Sequence, residues 1–118
     1  MIRWLIPDGY LPRKNEKKIE SHEALCLLNA SGKKANVELK IYFEDREPID
    51  GFEITIPPRR TIHYILDNAV NKNGDKIPIN TPYAVEVISE INLGVQFTRV
   101  DTRQPNMALF TTIAERLM

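Results

Sequence analysis

The chain has 118 residues, 16 basic and 16 acidic, for a formal net charge of zero. That length supports one domain whose core needs no disulfide or metal, and the charge balance argues against gripping nucleic acid by phosphate neutralisation. The lone cysteine, Cys26, excludes an internal disulfide, and no apolar run approaches the roughly 18 residues of a transmembrane helix.

In chain order, the opening Met1-Ile2-Arg3-Trp4-Leu5-Ile6-Pro7 is too short an apolar segment for a signal peptide. The chain is therefore expected to be soluble and cytoplasmic. Strand candidates begin at 2–6 and 22–29. Val37, Leu39, Ile41 and Phe43 then alternate with Glu38, Lys40, Tyr42 and Glu44, the period-2 signature of a half-buried strand. Phe52, Ile54 and Ile56 repeat the pattern against Glu53 and Thr55, as do Tyr83, Val85 and Val87 against Ala84, Glu86 and Ile88. Segments 60–66, 94–100 and 107–113 complete about eight short strands. Thr61 to Asn68 has an alternative start as a helix, but Ile62, Tyr64 and Leu66 keep the strand alternation.

Turn chemistry is read at Asp8-Gly9, Ser31-Gly32, Asp50-Gly51 and Asn73-Gly74-Asp75, with Pro78 and Pro82 bracketing the next strand. The charged stretches 13–18 and 71–76 read as solvated, mobile connectors. Short strands, frequent turns and no sustained helical period predict an all-β chain, an antiparallel β-sandwich or flattened barrel with little or no helix. The apolar segment Met107 to Ala114 is a plausible edge strand for pairing with another chain.

Three polar clusters stand apart from the solvated charge. They are Ser21-His22-Glu23 heading a strand that closes with Asn29, Arg59-Arg60-Thr61-Ile62-His63 after two prolines, and Gln96 through Gln104. The two histidines lie far apart without HxH, HxxxH or CxxC spacing, so no metal site is indicated. Ser21, Thr98 and Thr102 lack a nucleophile elbow, and the five glycines form no phosphate-binding loop. Cys26, inside Ala24-Leu25-Cys26-Leu27-Leu28, reads as a small hydrophobe, His63 as a half-buried strand histidine and His22 as the cap of a strand edge.

Hydrogen-bonding recognition remains. Arg59, Arg60, Arg99 and Arg103 carry planar donor forks, Glu23 and Asp101 are acceptors, and Trp4 and Tyr10 offer flat surfaces for stacking on a ring. The same groups could instead pair structurally, as Arg99–Asp101 and Arg60–Glu23. A glycosidase would need two carboxylates, for which Glu23 and Asp101 are the only nominees.

Taken together, Trp4…Asp8-Gly9-Tyr10-Leu11-Pro12, Ser21-His22-Glu23…Cys26-Leu27-Leu28-Asn29 and Tyr42…Glu47-Pro48 resemble the sensory rhodopsin transducer family. The resemblance continues through Ile56-Pro57-Pro58-Arg59-Arg60-Thr61…His63, Gln96…Thr98-Arg99-Val100-Asp101-Thr102-Arg103-Gln104 and Ala108-Leu109…Thr112-Ile113-Ala114. Pro58, Asp8 and the 71–76 loop depart from the pattern. The resemblance implies a small, soluble β-sandwich that forms a homotetramer, binds a polar small molecule such as a sugar, and relays a signal from a membrane photoreceptor or another signalling protein. Contact with DNA has also been proposed for the transducer. It implies no enzyme activity and no cofactor. The positions matching the family's polar motifs, and hence the expected ligand-binding set, are Trp4, Glu23, Asn29, Arg60, His63, Gln96, Arg99, Asp101 and Arg103.

Overall fold

The computed structural model describes residues 1–14 and 20–118. Of the charged stretch 13–18, only Arg13 and Lys14 lie within the described residues. Among the described residues nine strands follow in chain order: β1 (Ile2–Tyr10), β2 (His22–Asn29), β3 (Ala35–Phe43), β4 (Ile49–Ile56), β5 (Arg60–Ile65), β6 (Pro82–Ser89), β7 (Gly94–Asp101), β8 (Ala108–Ile113) and β9 (Glu115–Leu117). A 3-10 turn, Leu66–Asn68, follows β5, so strand is the right reading of the segment up to Ile65. Among the described residues no helix is long and apolar enough to cross a membrane.

Two antiparallel sheets pack face to face as a β-sandwich and do not close into a barrel. The first has the order β4-β3-β6-β1-β9 and the second β5-β2-β7-β8. Period-2 burial makes the core: Val37, Leu39 and Ile41 of β3, Ile54 and Ile56 of β4, and Val85 and Val87 of β6 meet Leu25 and Leu27 of β2 and Val95 and Phe97 of β7. A one-residue slip of any of these strands would turn its apolar set to solvent, so burial fixes the registers. β8 lies at an edge of the second sheet, as its apolar sequence suggested, and all six of its residues are exposed.

Two of the expected turns are β-bulges. Asp8-Gly9 lies inside β1, where Ile6 pairs with Val85 and Gly9 with Tyr83, so β1 carries one extra residue. A Cβ on Gly9 would sit 2.4 Å from Cζ of the Tyr83 ring, and only glycine leaves that ring its place. Asp50-Gly51 likewise falls within β4, between the pairs Leu39–Phe52 and Ile41–Ile49. Gly51 adopts φ +82°, a left-handed conformation that costs glycine nothing sterically.

The 71–76 segment is a built turn and not an unstructured connector. Asn71, buried, donates through Nδ2 to the Asp50 carbonyl at 2.8 Å and accepts through Oδ1 from the Asn73 and Asp75 amides at 2.9 and 2.7 Å. Lys72 N–H donates to the Gly51 carbonyl at 3.0 Å, so the loop holds the bulge in β4.

Candidate functional site

The nine nominated residues do not form one site. On a strand, residues an odd number apart point to opposite faces. Gln96 and Arg99 therefore part company on β7, as do Arg60 and His63 on β5. The set divides into a network that runs from the buried Glu23 between the sheets out to the exposed Arg103, a cavity that lies against the outer face of the second sheet and reaches the core at Trp4, Leu93 and Val95, and two outliers.

The network centres on Glu23, only 1% exposed. Its carboxylate accepts from the Tyr10 amide at 3.0 Å, from the Tyr83 hydroxyl, and from Arg99 Nε at 2.5 Å. Its own amide donates to Asp67 Oδ1 at 2.8 Å. The β1 bulge creates this arrangement, because the extra residue turns the Tyr10 N–H toward Glu23 while Gly9 admits the Tyr83 ring. Burial raises the Glu23 carboxyl above its ordinary range, against the opposing pull of Tyr83 and Arg99, and burial beside that carboxylate raises the Tyr83 phenol.

Asp101 pairs with Arg103, through Oδ2 to Nη2 at 2.7 Å, and not with Arg99. Hydrogen bonds from Arg103 hold the Asp101 carboxyl down at about 2. Arg103 also lies over the Tyr10 ring at 5.6 Å, and Arg99 over the Phe110 ring at 5.3 Å. The Arg99 Nη2 atom, buried and without a hydrogen bond among the described residues, has Asp8 Oδ2 at 3.7 Å. The gap bordered by Tyr10, Glu23, Arg99, Asp101 and Arg103 is about 20 Å³. That holds a single water and no sugar.

The second group is open. The β-ladders set His63, Cys26, Gln96 and Ile113 in one row across all four strands of the second sheet. Thr61, Leu28 and Gly94 form the adjacent row. These rows border a cavity of about 620 Å³ that also takes in Asn92, Ala114, and the register pair Trp4 and Arg116 from β1 and β9. Its size is that of a small-molecule site. His63 is exposed here and not half-buried, and Cys26 is partly exposed on the cavity wall and not in the core, because its parity is opposite to that of Leu25 and Leu27.

The polar side chains of this cavity are largely unengaged. Thr61 donates to the Leu27 carbonyl at 3.3 Å. His63, Asn92, Gln96 and Arg116 make no side-chain hydrogen bond or ion pair among the described residues.

The outliers have local roles. Asn29, fully buried, donates through Nδ2 to the Lys33 and Ile56 carbonyls at 2.7 and 3.1 Å and accepts from the Ser31 amide at 3.0 Å, fixing the turn after β2. Arg60 is exposed, at the end of β5 remote from Glu23 in the β2–β5 register, and donates to the Arg59 carbonyl at 3.0 Å. The Arg60–Glu23 and Arg99–Asp101 pairings are thus replaced by Arg99–Glu23 and Arg103–Asp101.

Sequence reasoning did not nominate Asp67 and Tyr83 of the network or Asn92 and Arg116 of the cavity, and it offered Tyr10 only as a stacking surface and Thr61 only as a member of a polar cluster. It also missed Glu86, buried on the outer face of the first sheet, which accepts from Arg3 Nε and from the Tyr42 hydroxyl at 2.5 Å. Arg3 is the main cause of its lowered carboxyl pKa. Strand parity was the available signal for the division, whereas partners such as Arg116 follow only from strand order.

A family model described as Anabaena sensory rhodopsin transducer matches residues 1–115. The crystal structure of Thermotoga maritima 1070 is similar at a TM-score of 0.83 and 33% identity, over 96% of this chain and 91% of that one. A structure of the Anabaena sensory rhodopsin transducer is similar at a TM-score of 0.75 and 36% identity, over 88% of this chain and 91% of that one. No curated protein matches the chain in sequence. The chain belongs to the Anabaena sensory rhodopsin transducer family.

Proposed function

We propose that this member of the Anabaena sensory rhodopsin transducer family is a non-enzymatic, cytoplasmic binding and signalling module. It holds a polar small molecule of sugar-like chemistry in the cavity bordered by Trp4, Cys26, His63 and Gln96, and passes the bound state to a protein partner. One observation carries this reading. Apart from Thr61, the hydrogen-bonding side chains of the cavity are unengaged among the described residues, whereas Glu23, Arg99, Asp101 and Arg103 are occupied with one another. Amide and imidazole groups beside apolar Leu28 and Ile113 and the small exposed part of the Trp4 indole suit a ring that is apolar on its faces and hydroxylated at its edge.

The same contrast supports a non-enzymatic role. Glu23 is sealed behind Arg99 and Tyr83, and Asp101 is clamped by Arg103, so neither carboxylate is offered to a substrate. Signalling then requires that the ligand favour one conformational or assembly state over another. Association as a homotetramer belongs to this reading. It is supported by the exposed apolar run Met107, Leu109, Phe110 and Ile113 along the unpaired edge of β8. A photosensory protein is one candidate partner, as in the relative of that name.

The test is a thermal-shift and fluorescence panel of neutral sugars and sugar acids, read through Trp4, the only tryptophan. Binding is expected to disappear in His63→Ala/Gln96→Ala with an unchanged Tm. If no compound in the panel alters either reading, the small-molecule role is wrong.

A further inference from the structure

The charge of the cavity narrows the ligand class. Resting on the binding reading above, we propose that the ligand is a small hydroxylated organic acid whose carboxylate is held by Arg116.

Among the described residues no aspartate or glutamate lines the cavity, and Arg116 is its one side chain of fixed charge. Arg116 has no ion-pair partner among the described residues, unlike Arg3, Arg46, Arg99 and Arg103, each matched to a carboxylate. It stands opposite Trp4 in the β1–β9 register, so guanidinium and indole arise from the same level of the first sheet. A guanidinium presents paired donors in a plane, the geometry that a carboxylate accepts through both oxygens.

Across the cavity, the His63–Cys26–Gln96 row supplies donors and acceptors for hydroxyls. With strands spaced at about 4.8 Å, His63 and Gln96 stand roughly 10 Å apart, wide enough for one six-membered ring between them. Leu28 and Ile113 provide the apolar walls. A neutral sugar would use the second half of this site and leave the cation unmatched. A hydroxylated acid uses both halves.

The experiment compares matched pairs, galacturonate against galactose and gluconate against glucitol, by Trp4 emission and thermal shift at low and high salt. At low salt the acids are expected to bind roughly five- to tenfold more tightly than their neutral counterparts. High salt should shrink that preference, since screening weakens a partly exposed pair. In Arg116→Gln the preference for the acids is expected to vanish while Tm persists.

Equal affinity for acid and neutral partners overturns the charge assignment and leaves the binding reading standing. A preference that survives in Arg116→Gln overturns the role of Arg116. If neither class binds, both readings fall together.

Discussion

Replacing Arg99 with methionine tests the claim that the Glu23 network is a structural element. Glu23 is 1% exposed, and Arg99 Nε at 2.5 Å is its cationic partner. Methionine keeps most of the apolar stem but leaves a carboxylate sealed between the sheets with only the Tyr83 hydroxyl and the Tyr10 amide. Removing one member of a buried ion pair costs about 3–5 kcal/mol, because the remaining charge stays desolvated. At this chain length each kcal/mol is worth roughly 3–6 °C, so Tm should fall by about 10–30 °C.

The double variant Glu23→Gln/Arg99→Met removes the stranded charge and should regain stability, with a coupling of about 1–3 kcal/mol. Urea unfolding followed by circular dichroism measures Arg99→Met, Glu23→Gln and the double variant against the native chain. A loss below about 1 kcal/mol in Arg99→Met, or a double variant no more stable than the weaker single, would refute the reasoning. Ligand titration of the folded Arg99→Met protein should match the native chain, since Arg99 does not border the cavity.

Four further outcomes are expected. Gly9→Ala should destabilise by about 1–3 kcal/mol in urea unfolding, since the new methyl meets the Tyr83 ring inside van der Waals contact. Asn71→Ala removes the bonds that shape the loop holding the β4 bulge and should cost about 1–3 kcal/mol in the same assay. Asp101 has its carboxyl held at about 2 against an ordinary 3.8, so the stability it adds is present above the ordinary value and is lost as pH falls from 3.8 toward 2. Thermal melts across that window should show native and Asp101→Asn proteins converging at its acid end. Leu109→Lys on β8 should yield species smaller than those of the native chain in light scattering, without loss of fold, because Leu109 is 66% exposed.

Much of the fold was legible. β3 shows why: Val37, Leu39 and Ile41 alternate with polar neighbours, and one buried face per strand requires that alternation. β9 escaped notice because three residues, Glu115–Leu117, carry no period and pair only by lying beside β1. Asp8-Gly9 and Asp50-Gly51 were read as turns because a bulge uses the same residue types. Which of the two forms depends on whether the neighbouring strand continues alongside, as β6 and β3 do here.

The site was half legible. Glu23, Arg99 and Asp101 share a parity class with their neighbours in the sandwich interior, and His63 and Gln96 share the opposite one, so their separation was written in odd and even spacing. By itself the sequence determined the strands other than β9, their buried faces and the polar residue types each carries, because side-chain alternation is a local consequence of extended backbone. The tertiary structure alone decided who meets whom. Strand order put Arg99 of β7 beside Glu23 of β2, a bulge turned the Tyr10 amide onto the same carboxylate, and the crossing from β8 to β9 brought Arg116 opposite Trp4. Such contacts join residues up to 112 positions apart, and no local period encodes them.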